Sequence, residues 1–298
     1  MGHHQHHQHQ KDGENTKALR IAFWLNLSFS IIEIVGGVFT NSMAILSDAV
    51  HDLGDSITIG GALYFQKVSE RRRDKHFSYG YKRFSTLSAL LTFAILVISS
   101  IWIVVNSIPR LLNPQEVNSE GMLVLALIGI TFNGLAVFKM QGKDSLNTRA
   151  VRLHLLEDVL GWIAVLIGGI VIYFTNLFII DPILSLIIAT YIAFNALKNI
   201  KSVSKIFLQG IPEDIDMAKV KADIKELNDV FDLHDLHSWS MDGEFNILTI
   251  HVVISEECNR ARAVEIKSEV RHILSHNNIQ HVTIEIETAA EKCELEDC

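Results

Sequence analysis

Six apolar runs, at residues 19–39, 43–66, 84–107, 121–140, 153–174 and 179–197, limit what this chain can fold into more than any other feature. Each is close to the ~20 residues that a helix needs to cross a bilayer. They predict an all-α membrane bundle of six transmembrane helices, and hence an integral membrane protein in contact with lipid. A length of 298 residues, 49% hydrophobic content and a net charge of −8 fit such a bundle joined to a soluble piece. The acidic excess is concentrated in the last third, and no basic stripe with interleaved aromatics is present, so nucleic acid is not an expected partner.

Basic residues set the orientation. Lys11, Lys17 and Arg20 precede the first run; Lys67, Arg71, Arg72, Arg73, Lys75, Lys82 and Arg83 fill the second connection; Lys139, Lys143, Arg149 and Arg152 fill the fourth. The first connection, residues 40–42, and the fifth, around Asn176, carry no basic residue. Positive loops mark the cytoplasmic side, which places both termini in the cytoplasm. No cleavable signal is expected, because the N-terminus is polar and the first run is too long for a signal core. Cys258, Cys293 and Cys298 all follow the last run; they are too few for a disulfide framework and suit a reducing cytosol.

Within the second run, residues 47–55 read SDAVHDLGD. Charged groups near a bilayer centre cost about 2.5–3.5 kcal/mol each on the insertion scale, so three aspartates and a histidine there need a reason. His51 and Asp55 are spaced i, i+4, which stacks an imidazole and a carboxylate on one helix face. His154 and Asp158, in HLLED of the fifth run, repeat that spacing. Two such helices facing each other offer two nitrogens and two oxygens, a donor set suited to tetrahedral zinc. These groups bind metal only when deprotonated, so protons and metal compete for them, and a site open to each side in turn couples the two gradients as antiport. Asp48, one turn before His51, either orients it or relays protons. Asp52 and Glu157 are expected to face another helix or a water-filled path and are not counted as ligands. Glu33 serves either an ion path or a hydrogen bond within the bundle. Gly60 and Gly61 read as helix-packing residues, and Asp181 with Pro182 as a structural start to the sixth helix, the acid favouring the N-terminal dipole.

Residues 1–18 form a histidine-rich stretch without apolar periodicity, expected to be disordered; a native metal-collecting tail and a purification tag both fit it. The bundle is expected over 19–202. Beyond it, periodicity predicts a helix at 214–227, strands at 230–241 and 245–254 joined by the turn Met241-Asp242-Gly243, a helix at 260–274 and a strand at 279–287. This αββαβ order predicts a C-terminal cytoplasmic α+β domain of ferredoxin-like form over 203–288. An acidic, cysteine-containing tail follows at 289–298.

NSMAILSDAVHDLGD in the second run, KHFSYGY after it, HLLED in the fifth, DPILSL opening the sixth, and HDLHSW in the αββαβ domain together resemble the cation diffusion facilitators, over residues 19–298. The resemblance implies a homodimeric metal–proton antiporter that exports zinc and related divalent ions from the cytosol, with His51, Asp55, His154 and Asp158 as the transport site. Histidine at 51 is similar to the zinc-preferring branch. For the cytoplasmic domain the resemblance implies a structural or regulatory zinc at His234, His251, Glu285 and Glu287, with carboxylates where some relatives have a histidine and an aspartate. It also maps a loop site onto Asp74 and His76, with Tyr81 where a further histidine would stand. Cys293 and Cys298 deliver or sense metal, or are idle thiols. The long histidine-rich loop of many eukaryotic relatives is absent, so the chain looks prokaryotic, a protein of the cytoplasmic (inner) membrane.

The expected function is therefore Zn2+/H+ antiport out of the cytosol by alternating access, with zinc and protons as substrates. Enzymatic activity is not expected, since His-Glu-x-x-His is absent and four protein ligands leave no open position for a catalytic water. A broader cadmium, cobalt or manganese exporter and a non-transporting membrane zinc sensor are the alternatives.

Overall fold

A computed structural model describes residues 5–69, 71, 73–139 and 146–291; within it the side chains of residues 5–19, 21, 22, 62, 63, 66, 136, 139 and 146–154 lie outside the description. The chain divides into two compact units, one holding the chain up to Gln66 together with Ser88–Ile200, the other Lys67–Leu87 with the chain from Lys201 onward.

The first unit is built from six long helices: α1 (Gln5–Thr40), α2 (Met43–Ser69), α3 (Arg83–Leu112), α4 (Ser119–Lys139), α5 (Leu146–Thr175) and α6 (Ile180–Phe207). Helix α1 continues back through the stretch expected to be disordered. Its Gln, Lys, Glu and Ala residues are good helix formers, and no proline interrupts them. Among the described residues four segments are long and apolar enough to cross a membrane: Phe23–Thr40, Arg83–Leu112, Leu155–Thr175 and Ile180–Phe207. Of the other two, α4 has a shorter apolar stretch, Ser119–Leu135, and α2 is long enough but carries Asp48, Asp52 and Asp55.

The bundle reverses the burial of a soluble protein. Ile98, Val105, Phe174 and Phe194 are exposed, whereas Ser30, Glu33, Ser47, Asp48, Asp52 and Asp181 are buried. A broad apolar exterior is what lipid contact requires. Helix α2 is held inside by polar bonds: Asn26 of α1 donates to the Asp52 carbonyl at 3.0 Å and to the Ser56 hydroxyl at 3.2 Å. A side chain on Gly60 would meet the Phe23 ring at 2.8 Å, and one on Gly61 would run into the Ser88 hydroxyl, so both glycines serve close helix approach as expected.

In the second unit, α7 (Met217–Lys225), β1 (Val230–Ser240), β2 (Asn246–Ile254), α8 (Arg260–His276) and β3 (His281–Thr288) follow the αββαβ order. The sheet runs β1-β2-β3, with β1 and β2 antiparallel and β2 and β3 parallel. The hairpin turn keeps Gly243 at φ +95, and Asp242 accepts from the amides of Glu244 and Phe245. Alternate residues of β2, Leu248, Ile250, Val252 and Ile254, join Ile266, Val270 and Leu274 of α8 in one core. The spacings 2 and 4 are those of a strand and a helix each offering one face. The opposite face of β2, with His251, is left for other work.

Candidate metal sites

In the bundle, acids from three helices gather. His51 on α2 is half-buried, with Nε2 3.8 Å from Asp55 Oδ2. Asp48 is buried one turn earlier, and its Oδ1 lies only 3.5 Å from where a Cβ on Gly161 of α5 would sit. Glycine there lets α5 meet α2 at the level of its first aspartate. Asp158 is buried on α5 one turn before Gly161 and acts electrostatically on Asp48 and Asp52. Glu33 of α1 is fully buried beside Asp52, Asp48 and Asp158. The Glu33 and Asp52 carboxyls approach one another, yet neither Glu33 oxygen has a well-formed hydrogen bond among the described residues. The charges acting most strongly on Glu33, Asp48 and Asp52 are other carboxylates. Such a cluster attracts protons or a divalent cation. His154 lies on α5 one turn before Asp158, but its side chain is outside the described residues. Glu157 stands apart, exposed, with the Tyr191 hydroxyl 3.5 Å away.

Asp181 does more than open α6. Its fully buried carboxylate accepts from the Ser42 hydroxyl at 2.5 Å and from the amides of Met43 at 2.8 Å and Ala44 at 3.2 Å. These amides are orphans of the first turn of α2, so Asp181 caps α2 rather than only its own helix.

On the open face of the sheet, register places His234, His251 and Glu285 side by side on three strands. His251 Nδ1 lies 2.6 Å from Glu287 Oε1, and His234 Nε2 lies 3.2 Å from Glu287 Oε2. Glu285 stands 3.5 Å from His251 Nε2. Among the described residues, His234, His251 and Glu287 are the one group of three or more whose ligand atoms all lie within 4.8 Å of one another. Two imidazoles and a carboxylate on fixed strands fit a zinc ion. Sequence reasoning missed two neighbours: Asp235 lies 2.7 Å from His237 and 3.4 Å from His251 Nε2. Strict alternation would put Asp235 on the helix-covered face. A register shift between His234 and His237, with Asp235 at φ +45, turns it to the open one. The His237 hydrogen bond, with help from the nearby imidazoles, holds the Asp235 carboxyl below its ordinary range.

The loop pair is arranged differently. Asp74 accepts from the amides of His76 at 2.8 Å and Phe77 at 2.9 Å and from the Tyr81 hydroxyl at 2.7 Å, so its oxygens are engaged in closing the loop. His76 is exposed. Cys293 and Cys298 lie outside the described residues, and Cys258 packs at the edge of the domain core.

Comparison with known proteins accords with this arrangement. The family model described as the cation efflux transmembrane domain matches residues 19–208, and that described as the cation efflux protein cytoplasmic domain matches residues 212–289. The chain is 34% identical to the cadmium, cobalt and zinc/H(+)-K(+) antiporter of Bacillus subtilis (strain 168), over 97% of this chain and 93% of that protein. It is 33% identical to the metal cation efflux system protein CzcD of Cupriavidus metallidurans, over 98% and 92%. It is 32% identical to the zinc transporter ZitB of Yersinia pseudotuberculosis, over 95% and 91%. Matches to the two family models, over residues 19–208 and 212–289, make this chain a member of the cation diffusion facilitator family of cation efflux proteins.

Proposed function

We propose that the protein is a divalent metal efflux transporter that exchanges zinc for protons across the cytoplasmic membrane of a bacterium by alternating access. The observation that carries this reading is the gathering of Glu33, Asp48, Asp52 and Asp158 in the interior of an apolar bundle, with other carboxylates as their strongest electrostatic neighbours. In that setting a divalent ion and protons are alternative ways to neutralise the same charge. His51, Asp55, His154 and Asp158 bind the transported ion, and Asp48 stands behind His51. Residues 19–202 form the bundle and 203–288 a cytoplasmic domain that pairs two copies of the chain, with both termini in the cytoplasm. His234, His251, Glu285 and Glu287 hold a regulatory zinc in that domain; Asp74 and His76 are a weaker candidate, since the Asp74 carboxylate is already occupied by its own loop. The name of the Bacillus relative, with cadmium and cobalt beside zinc, favours testing a wider metal range.

The deciding experiment is zinc uptake into everted vesicles under an imposed pH gradient. Uptake in the parent, absent in His51→Ala and Asp158→Ala, is expected. Zinc binding without accumulation in the parent would indicate a sensor instead, and unaltered uptake in both variants would remove the site assignment.

A further inference from the structure

Away from the sites above, a groove between α7 and α8 is lined by Asp223 and Glu226 on one side and by His272 and His276 on the other. We propose that this groove is a further divalent-cation site, for a borderline ion such as zinc or copper, with His272 and His276 as the protein ligands and Asp223 and Glu226 across the groove supplying negative charge.

His272 and His276 are spaced i, i+4 on α8, and their ring centroids are 4.4 Å apart. That spacing lets two imidazoles of one helix chelate a single ion. His276 Nδ1 lies 2.9 Å from the His272 carbonyl oxygen. When that nitrogen donates the hydrogen bond, the lone pair sits on Nε2, the outer nitrogen; ligating histidines are commonly oriented by such a bond. Both rings are exposed, so they turn toward an ion without disturbing the core, which α8 builds from Ile266, Val270 and Leu274. The groove also lies at the C-terminal ends of both helices: Glu226 is the C-cap of α7, and His276 is the last residue of α8 before its C-cap, Asn277. The negative ends of two helix dipoles favour a cation there. Lys219, the one basic residue lining the groove, opposes it, but its long flexible stem allows the ammonium to turn to solvent. His272, His276 and Glu226 are exposed, which fits an ion that exchanges with its surroundings rather than one needed for folding.

The test uses the full-length protein in detergent, with Asp158→Ala, His251→Ala and Glu287→Gln silencing the other candidate sites and the five tail histidines replaced by alanine. Zn2+ is added in equilibrium dialysis and Cu2+ in electron paramagnetic resonance. Retention of one zinc per chain is expected, with a copper spectrum showing coupling to imidazole nitrogens. Adding His272→Ala and His276→Ala should abolish both signals while leaving the thermal midpoint in the absence of metal unchanged. Asp223→Asn with Glu226→Gln should weaken zinc binding by about tenfold. No zinc on the background protein, or zinc and copper signals indifferent to loss of the two histidines, would overturn the site. Vesicle transport is a separate readout, so this inference and the transport reading succeed or fail independently.

Discussion

The two principal clusters of titratable side chains are assembled by opposite means. In the bundle, Glu33, Asp48, Asp52 and Asp158 come from helices far apart in the chain, and packing of α1, α2 and α5 brings their charges together. On the sheet, hydrogen-bonded register sets His234, His251 and Glu285 side by side on adjacent strands. The bundle group is buried in apolar surroundings and includes more acids than nearby charges can offset, so its energy depends on which cation is present. The sheet group is an alternation of imidazole and carboxylate, with His251 between Asp235, Glu285 and Glu287.

That contrast is broken most directly by removing one member from each group. Asp158→Ala should reduce pH-driven zinc uptake to the level of protein-free vesicles, whereas His251→Ala should leave substantial flux; equal losses would erase the distinction. Asp181→Ala probes how the bundle group is held in place, since it strips three acceptor bonds from the start of α2. A loss of about 3 kcal/mol is expected in a denaturant titration in detergent, partly restored by Asp181→Asn. On the sheet, Glu287→Gln keeps the shape but removes the charge between two histidines, and zinc affinity at that site should fall by roughly tenfold to a hundredfold in equilibrium dialysis.

The smallest effect concerns the loop. The Tyr81 hydrogen bond, with those from the His76 and Phe77 amides, holds the Asp74 carboxyl below its ordinary range. A depressed folded value means that this contact supports the loop above the ordinary carboxylate range and is lost as pH falls through the lower, folded value. The protection of the His76 and Phe77 amides, their exchange rate relative to the intrinsic rate at each pH, should therefore fall on acidification, and in Tyr81→Phe the fall should begin at higher pH. An unchanged profile would show that Tyr81 contributes nothing to loop closure.

The charged interruption of α2 was legible beforehand, because three aspartates stand in a membrane-length run and i, i+4 spacing dictates a shared face. Asp181 was read only for its own helix. Its main role could not be seen locally, since the amides it caps lie at Met43 and Ala44, 138 and 137 residues away. Glu33 stood as one of two readings, and placing it beside Asp52 required knowing which way α1 faces α2. On the sheet, Asp235 and His237 escaped notice because the alternation rule fails at a bulge, which reverses the direction of one side chain without leaving a mark in composition.

By itself the amino-acid order determined the lipid-facing helices, their charged interruption and the αββαβ order. Those properties are local: apolar length, side-chain period and turn chemistry act within a few residues. Tertiary structure alone decided which carboxylates lie near one another, which helix end Asp181 completes and which face Asp235 joins. Electrostatic and hydrogen-bond energies depend on distances of a few ångströms between groups that the chain separates by tens of residues or more.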